Sequence, residues 1–164
     1  MRRLVLVAHD IRSVHNVGSL LRTADGLGID MVHLTGYSPY PAKTDDSRLP
    51  HVRNKLDRQI HKTALGAERT VKWEYAGDIK SLVHELKADG FTIAALEQTP
   101  ASTDLQTYTT GSDIALIVGN EVNGIPDDII KICDIAIAIP MAGRKESFNV
   151  AVAAAIALYQ LKYG

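Results

Sequence analysis

Apolar and polar positions divide the chain into short apolar runs separated by helical stripes. Leu4–Ala8 is one continuous apolar run of strand length. After it, Val17, Leu20, Leu21, Ala24 and Leu27 recur at the spacing of a single helix face. Gly28 stands where a helix C-cap is expected, and "MVHLTG" (31–36) then reads as a second strand. Further apolar runs predict strands at Val71–Tyr75, Phe91–Leu96, Asp113–Gly119 and Ile135–Pro140. Ile79–Ala88 reads as a helix, and Pro126–Lys131 as a short one. Residues 36–61 are polar, carry prolines and show no period, which predicts a long loop or short irregular helices. The terminal helix is expected over about Ser147–Leu161.

Strands therefore alternate with helices, and several strands are apolar on both faces. That pattern predicts an α/β fold in a single domain over 1–164, with a mostly parallel sheet and helices on both faces. No internal repeat, linker or low-complexity tract interrupts it. In such sheets ligands bind outside the carboxyl ends of the strands. The loops to search are "LEQTP", "GNEVNG", "PMAGRKES" and the one after the first strand.

A length of 164 residues supports one domain with a sizeable core. No apolar run reaches the ~18 residues of a membrane span. The run after Arg2 and Arg3 is too short for a secretory signal, so no membrane partner is expected. The single cysteine, Cys133, excludes an internal disulfide and suits a cytoplasmic setting. Its apolar neighbours mark it as an inert thiol. The six histidines show no metal-ligand spacing. A net charge of −1 argues against a simple nucleic-acid coating protein. The charge is uneven, however. Pro41–Lys72 holds eight basic and four acidic residues, giving +4 there and leaving −5 for the rest.

The common phosphate-binding signatures, G-x-x-x-x-G-K-[ST] and G-x-G-x-x-G after a strand, are absent. Three other stretches carry candidate chemistry. In "HNVGSLLRTADGLG", Asn16 precedes the first helix and Arg22 lies within it. Asn16 reads as an N-cap beside an exposed arginine, or as part of an anion-facing helix start carrying a guanidinium. His15, Ser19 and Arg22 share the outer face if the helix begins early enough. In "IVGNEVNGIP" the glycines allow close backbone approach to a ligand, and Glu121 is either a turn acid or a functional carboxylate. In "IPMAGRKESFNVAVAAAIALYQL", Ser147 and Asn149 stand at the mouth of a helix that carries no charge until Lys162. A helix apolar nearly all round should be buried on most sides, which predicts a homodimer interface.

Together and in this order, the three stretches resemble the SpoU (TrmH-type) RNA ribose methyltransferases of the SPOUT superfamily. Asn16 and Arg22 match that family's first motif. Gly119, Glu121 and Gly124 match its Gly-x-Glu-x-x-Gly motif. Ile139, Pro140, Met141, Ser147, Asn149 and Val150 match its third. "HKTALGAE" (His61–Glu68) resembles the middle region, and the resemblance covers essentially the whole chain. Phe148 stands where leucine is usual and Ala151 where serine is frequent. No separate RNA-binding extension is expected within 1–164.

The resemblance implies a trefoil-knotted SPOUT fold and S-adenosyl-L-methionine held by three loops, through Gly119, Ile139 and Phe148 with Leu96 and Met141. It implies methyl transfer to a ribose 2′-hydroxyl of RNA, tRNA ahead of rRNA, in a homodimer whose active site lies beside the subunit interface. Arg22 acts as general base or fixes the phosphate and the hydroxyl oxygen. Asn16, Glu121, Ser147 and Asn149 orient Arg22, the ribose and the methionine moiety. The alternatives are a base-methylating SPOUT enzyme and an RNA-binding module without the reaction.

Overall fold

A computed structural model of the protein describes residues 2–164. Its centre is β1 (Leu4–His9), whose six residues are all buried. Alternation along β1 feeds two cores. Leu4, Leu6 and Ala8 point to one face of the sheet, Val5 and Val7 to the other. β1 pairs in parallel with β2 (Met31–Thr35) on one side and with β6 (Ile114–Val118) on the other. β2 carries β3 (Trp73–Ala76) at its outer edge. β6 pairs with β4 (Thr92–Leu96), β4 with β7 (Ile135–Ala138), and β7 with the two-residue β5 (Thr103–Asp104). The seven strands run parallel in the order β3-β2-β1-β6-β4-β7-β5. The expected fold class is thus found. The short β5 is an addition, since two residues leave no readable period.

Helices cover both faces, as apolar strands of this kind require. On the first face lie α1 (Val14–Leu27), α2 (Pro50–Ala64), α3 (Ala67–Thr70) and α6 (Val150–Tyr163). On the second lie α4 (Ile79–Ala88) and α5 (Asp127–Ile130). Gly28 ends α1 in the left-handed conformation at φ 60°, as the sequence predicts.

Three local expectations change. Residues 36–61 are not simply loop, because α2 begins at Pro50. Proline at the first helical position costs no hydrogen bond, so it starts this helix instead of breaking it. Asn16 is not the N-cap of α1. Ser13 is, accepting from the Asn16 backbone amide at 3.3 Å. The last helix begins at Val150, with Asn149 as its N-cap, so Ser147 lies outside it. Within the single chain that helix is covered on one side only. Ala151, Ala154, Ala157, Leu158 and Leu161 pack inward, while Val152, Ile156, Tyr159 and Tyr163 face outward.

Candidate active site

The carboxyl ends of β4, β6 and β7 lie next to one another, and the loops that leave them enclose a cavity of about 420 Å³. Its apolar wall includes Leu96, Val118, Ile139, Met141 and Phe148. Its other wall is the turn 119–124, and carboxylates of Glu97, Glu121, Asp127 and Glu146 stand around it. All five residues expected to hold a cofactor line this one cavity: Leu96, Gly119, Ile139, Met141 and Phe148. Phe148 is 41% exposed at the cavity, a ring kept partly in water by its position on a loop.

The turn is built by its own backbone and by Glu97. Asn120 and Gly124 exchange both backbone hydrogen bonds, at 3.1 and 2.9 Å. The Asn120 side-chain oxygen accepts from the amides of Val122 and Asn123. Gly124 adopts φ 68°, and a Cβ there would run into the Glu97 carboxylate. Glu97 in turn accepts the Ile125 amide at 2.9 Å. Gly119 has a different reason to be glycine. A Cβ on it would lie 2.6 Å from the Gly124 carbonyl carbon and 2.7 Å from Ile125 Cγ1. The nearest obstacle to a side chain at 119 is therefore the far side of the turn, where the sequence suggested approach to a ligand.

The three motif stretches meet in one hydrogen-bonded chain. The Glu121 carboxylate accepts the backbone amides of Arg12 and Ser13 at 2.9 and 3.1 Å, and Asn16 Nδ2 at 2.9 Å. Asn16 Oδ1 accepts Asn149 Nδ2 at 3.1 Å. Asn149 Oδ1 accepts the amides of Ala151 and Val152 at the start of α6. A carboxylate thus sits at the approach to α1, where amide donors and the helix dipole favour negative charge. Burial pushes the Glu121 carboxyl up, but the Arg12, Asn16 and Ser13 donors outweigh it and hold it below its ordinary value.

Glu121, Asn16 and Asn149 are thus brought together. Ser147 lines the cavity from the loop before α6. Arg22 is not brought in. Six residues of helix separate it from Asn16, which turns the two side chains about 120° apart. It is exposed on α1, does not line the cavity, and has no side-chain partner among the described residues. His15 and Arg22 are both exposed and Ser19 partly so, as expected for a helix that starts at Val14. Sequence reasoning missed Glu97 and Asn120 as individuals. The signal available was their place in the flagged loops "LEQTP" and "GNEVNG".

"HKTALGAE" has a structural part. Buried Glu68 accepts from the Gly66 amide at 3.0 Å and lies 2.6 Å from His61 Nδ1. Its main-chain carbonyl accepts Trp73 Nε1 at 2.9 Å, which joins α3 to β3. Burial pushes the Cys133 thiol up to about 11, which leaves it protonated and unreactive at neutral pH.

The residues present fit S-adenosyl-L-methionine. The volume lies in the ~300–1,000 Å³ range of small-molecule sites. The apolar side can take an adenine, and the carboxylates suit a ligand that carries a sulfonium and an ammonium.

Comparisons with known proteins agree with this geometry. The profile of the SpoU rRNA Methylase family matches residues 3–159. A tRNA (guanosine(18)-2′-O)-methyltransferase of Borreliella burgdorferi is 27% identical over 158 residues, covering 96% of this chain and 65% of that protein. A TrmH family protein of Staphylococcus aureus is 30% identical over 158 residues, covering 96% of this chain and 57% of that protein. The chain thus spans about three fifths of the length of these relatives. Among solved structures, the A. aeolicus TrmH/SpoU tRNA modifying enzyme superposes with a TM-score of 0.79 at 26% identity, covering 98% of this chain and 74% of that one. An AdoMet-bound rRNA methyltransferase from Sinorhizobium meliloti has the same fold, with a TM-score of 0.79 at 23% identity over 96% of this chain and 55% of that one. With its three motifs joined through Glu121, Asn16 and Asn149 beside one cavity, the chain belongs to the SpoU methylase family.

Proposed function

We propose that this protein is an S-adenosyl-L-methionine-dependent RNA methyltransferase that acts on a ribose 2′-hydroxyl of tRNA or rRNA, tRNA foremost. The observation that carries the reading is the hydrogen-bonded chain Glu121–Asn16–Asn149 at the edge of a cavity that fits the methyl donor. The name of the Borreliella burgdorferi relative supports ribose chemistry on tRNA. The reading includes a trefoil knot, a topology nearly absent among folds in general, and a cytoplasmic setting, where such RNA is found.

S-adenosyl-L-methionine supplies an activated methyl group when bound. Leu96, Ile139, Met141 and Phe148 would hold its adenosine moiety, with Gly119 keeping the adjoining turn closed. Ser147 and the carboxylates would meet its polar end. Asn16 and Asn149, whose amides are aligned by Glu121, fix the approach to α6 where the ribose enters. Arg22, exposed on the outer face of α1 and outside this cavity, would meet the acceptor phosphate and hydroxyl oxygen across the subunit interface of the homodimer that this reading includes. Its planar fork suits that task, and positioning alone supplies much of the rate of such a transfer. A guanidinium gives up its proton too reluctantly to serve as a good general base, so positioning is the better role.

The test is tritiated methyl transfer to total RNA, followed by nucleoside mapping. Arg22→Ala should lose at least ~10²-fold in rate, the scale of removing a group that stabilises a transition state. Its affinity for the methyl donor should stay unchanged. At the mapped site a single 2′-deoxy nucleotide should abolish transfer. Transfer that persists on the deoxy RNA would establish base methylation instead.

A further inference from the structure

A second cavity, of about 350 Å³, opens at the carboxyl ends of β1, β2 and β3. Tyr37, Tyr40, Tyr75, Arg12 and Leu56 are among the residues that line it. Most of this wall is braced. Tyr40 and Tyr75 stack at 4.3 Å between centroids, and the Arg48 guanidinium lies 3.6 Å from the Tyr40 centroid. The Tyr75 hydroxyl donates to the Gly36 carbonyl at 2.7 Å. The Arg48 guanidinium donates four hydrogen bonds, to Asp46 and to the carbonyls of Tyr40 and Pro41.

Two groups are held in place yet left open. Tyr37 is 60% exposed. Its amide donates to Asp10 Oδ1 at 3.0 Å, and its hydroxyl accepts Asn120 Nδ2 at 2.7 Å. The backbone amide of Arg12 is fixed by Glu121, while its guanidinium has no partner among the described residues. An aromatic ring kept in water by tethers at both ends, beside a free guanidinium, is costly for a fold to maintain. It matches the two groups that single-stranded nucleic acid uses, a face for stacking and a cation for phosphate.

Both open groups connect to the first cavity. Asn120 and Glu121, which tether Tyr37 and Arg12, line the methyl-donor cavity as well. The turn after β6 therefore lines the first cavity and, through the Tyr37 hydroxyl and the Arg12 amide, holds two residues that line the second.

We propose that the second cavity is the acceptor-nucleotide subsite, in which an RNA base stacks on Tyr37 and an adjacent phosphate pairs with Arg12. The assignment rests on the RNA methyltransferase reading for its substrate class. It puts the ribose at the 120–121 turn, between the stacked base and the donated methyl. The Arg12 tether is its backbone amide, so its side chain can be removed without loss of that contact. Tyr37→Ala keeps the amide contact to Asp10 but loses the hydroxyl contact to Asn120, and Tyr37→Phe loses that hydroxyl contact alone.

The four ribonucleoside 5′-monophosphates, titrated into the full chain and followed by NMR, test the subsite directly. At least one should saturate at millimolar concentration. Tyr37→Ala and Arg12→Ala should weaken it at least about tenfold, the scale of losing one base–aromatic stack. Tyr37→Phe keeps the ring and should bind as wild type, which a purely structural role for the hydroxyl tether would not allow. Arg12→Lys should rescue poorly. With tRNA as substrate, Tyr37→Ala should raise KM by a similar factor and leave affinity for the methyl donor unchanged, which separates an RNA site from a site for free nucleotide. Failure of all four monophosphates to saturate, or wild-type binding by Tyr37→Ala, overturns the subsite. A wild-type protein that transfers no methyl to RNA yet binds a monophosphate through Tyr37 keeps the subsite and removes the methyltransferase reading.

Discussion

At the scale of single residues, Glu121 joins the motif stretches. Three donors from the α1 approach converge on its carboxylate, and through Asn16 it sets the amide of Asn149. Glu121→Gln keeps the size but loses the charge and at least one acceptor. Hydrogen bonds to charged groups contribute about 1.5–3 kcal/mol, and partial exposure reduces this. We expect a loss of about 1–2 kcal/mol, or roughly 2–8 °C in Tm for a domain of this size. The pH dependence follows from the same contacts. A carboxyl held below its ordinary value in the folded state stabilises the fold above the unfolded-state value of about 4.3. That contribution is lost as pH falls through the lower folded value. Urea denaturation between neutral pH and the acid range should show the wild type converging on Glu121→Gln as pH drops. A constant gap between them would mean that the carboxylate charge plays no part.

At the scale of elements, the packing of α1 on α2 depends on Gly18. A Cβ there would fall inside contact distance of Thr63 Oγ1 and the Ile60 carbonyl, and 2.9 Å from the Ala64 amide nitrogen. Two of these three obstacles are backbone, so the helices would have to separate. Gly18→Ala should cost about 1–3 kcal/mol by overpacking. Gly26, on the same helix, has nothing within 4 Å of such a Cβ. Gly26→Ala should stabilise by about 0.5–1 kcal/mol through backbone entropy alone. Equal effects of the two substitutions in denaturant melts would refute the close contact. This helix pair also marks the limit of sequence reading. The buried strands β1, β4 and β6 were legible because both faces are apolar, and α1 and α4 because their stripes are regular. α2 was not, because its polar face is so dense in Arg53, Lys55, Arg58 and Lys62 that only the sparse row Leu56, Ile60, Ala64 marks its inner side. The loops that line the cavity were legible from their place after the strands, and the individual cofactor residues through motif resemblance. The contacts that build it, such as Glu97 to Ile125, join residues 28 apart and leave no local period.

At the scale of the whole molecule, α6 divides its two faces between two tasks. Ala151, Ala154, Ala157, Leu158 and Leu161 belong to the core of the chain itself. Val152, Ile156, Tyr159 and Tyr163 recur at helical spacing on the opposite side and are all exposed, with Phe148 just before them. Tyr159 and Tyr163 pack on each other with centroids 5.0 Å apart, which extends the apolar stripe to the end of the helix. A contiguous apolar stripe in water marks an interaction surface, and the homodimer we propose would pair it with the same stripe of a second copy through a two-fold axis. The stripe begins beside Asn149 and Phe148, so such a dimer would bring its interface to the rim of the methyl-donor cavity. The wild type should sediment at micromolar concentration with twice the 17.8 kDa chain mass. Ile156→Glu, on a residue 38% exposed, should sediment as a folded monomer. Ala154→Glu reports on the other face. Its side chain is fully buried, so a carboxylate there should unfold the chain. If Ile156→Glu keeps the double mass, the interface lies elsewhere on the surface; a wild type at the single mass would remove the dimer.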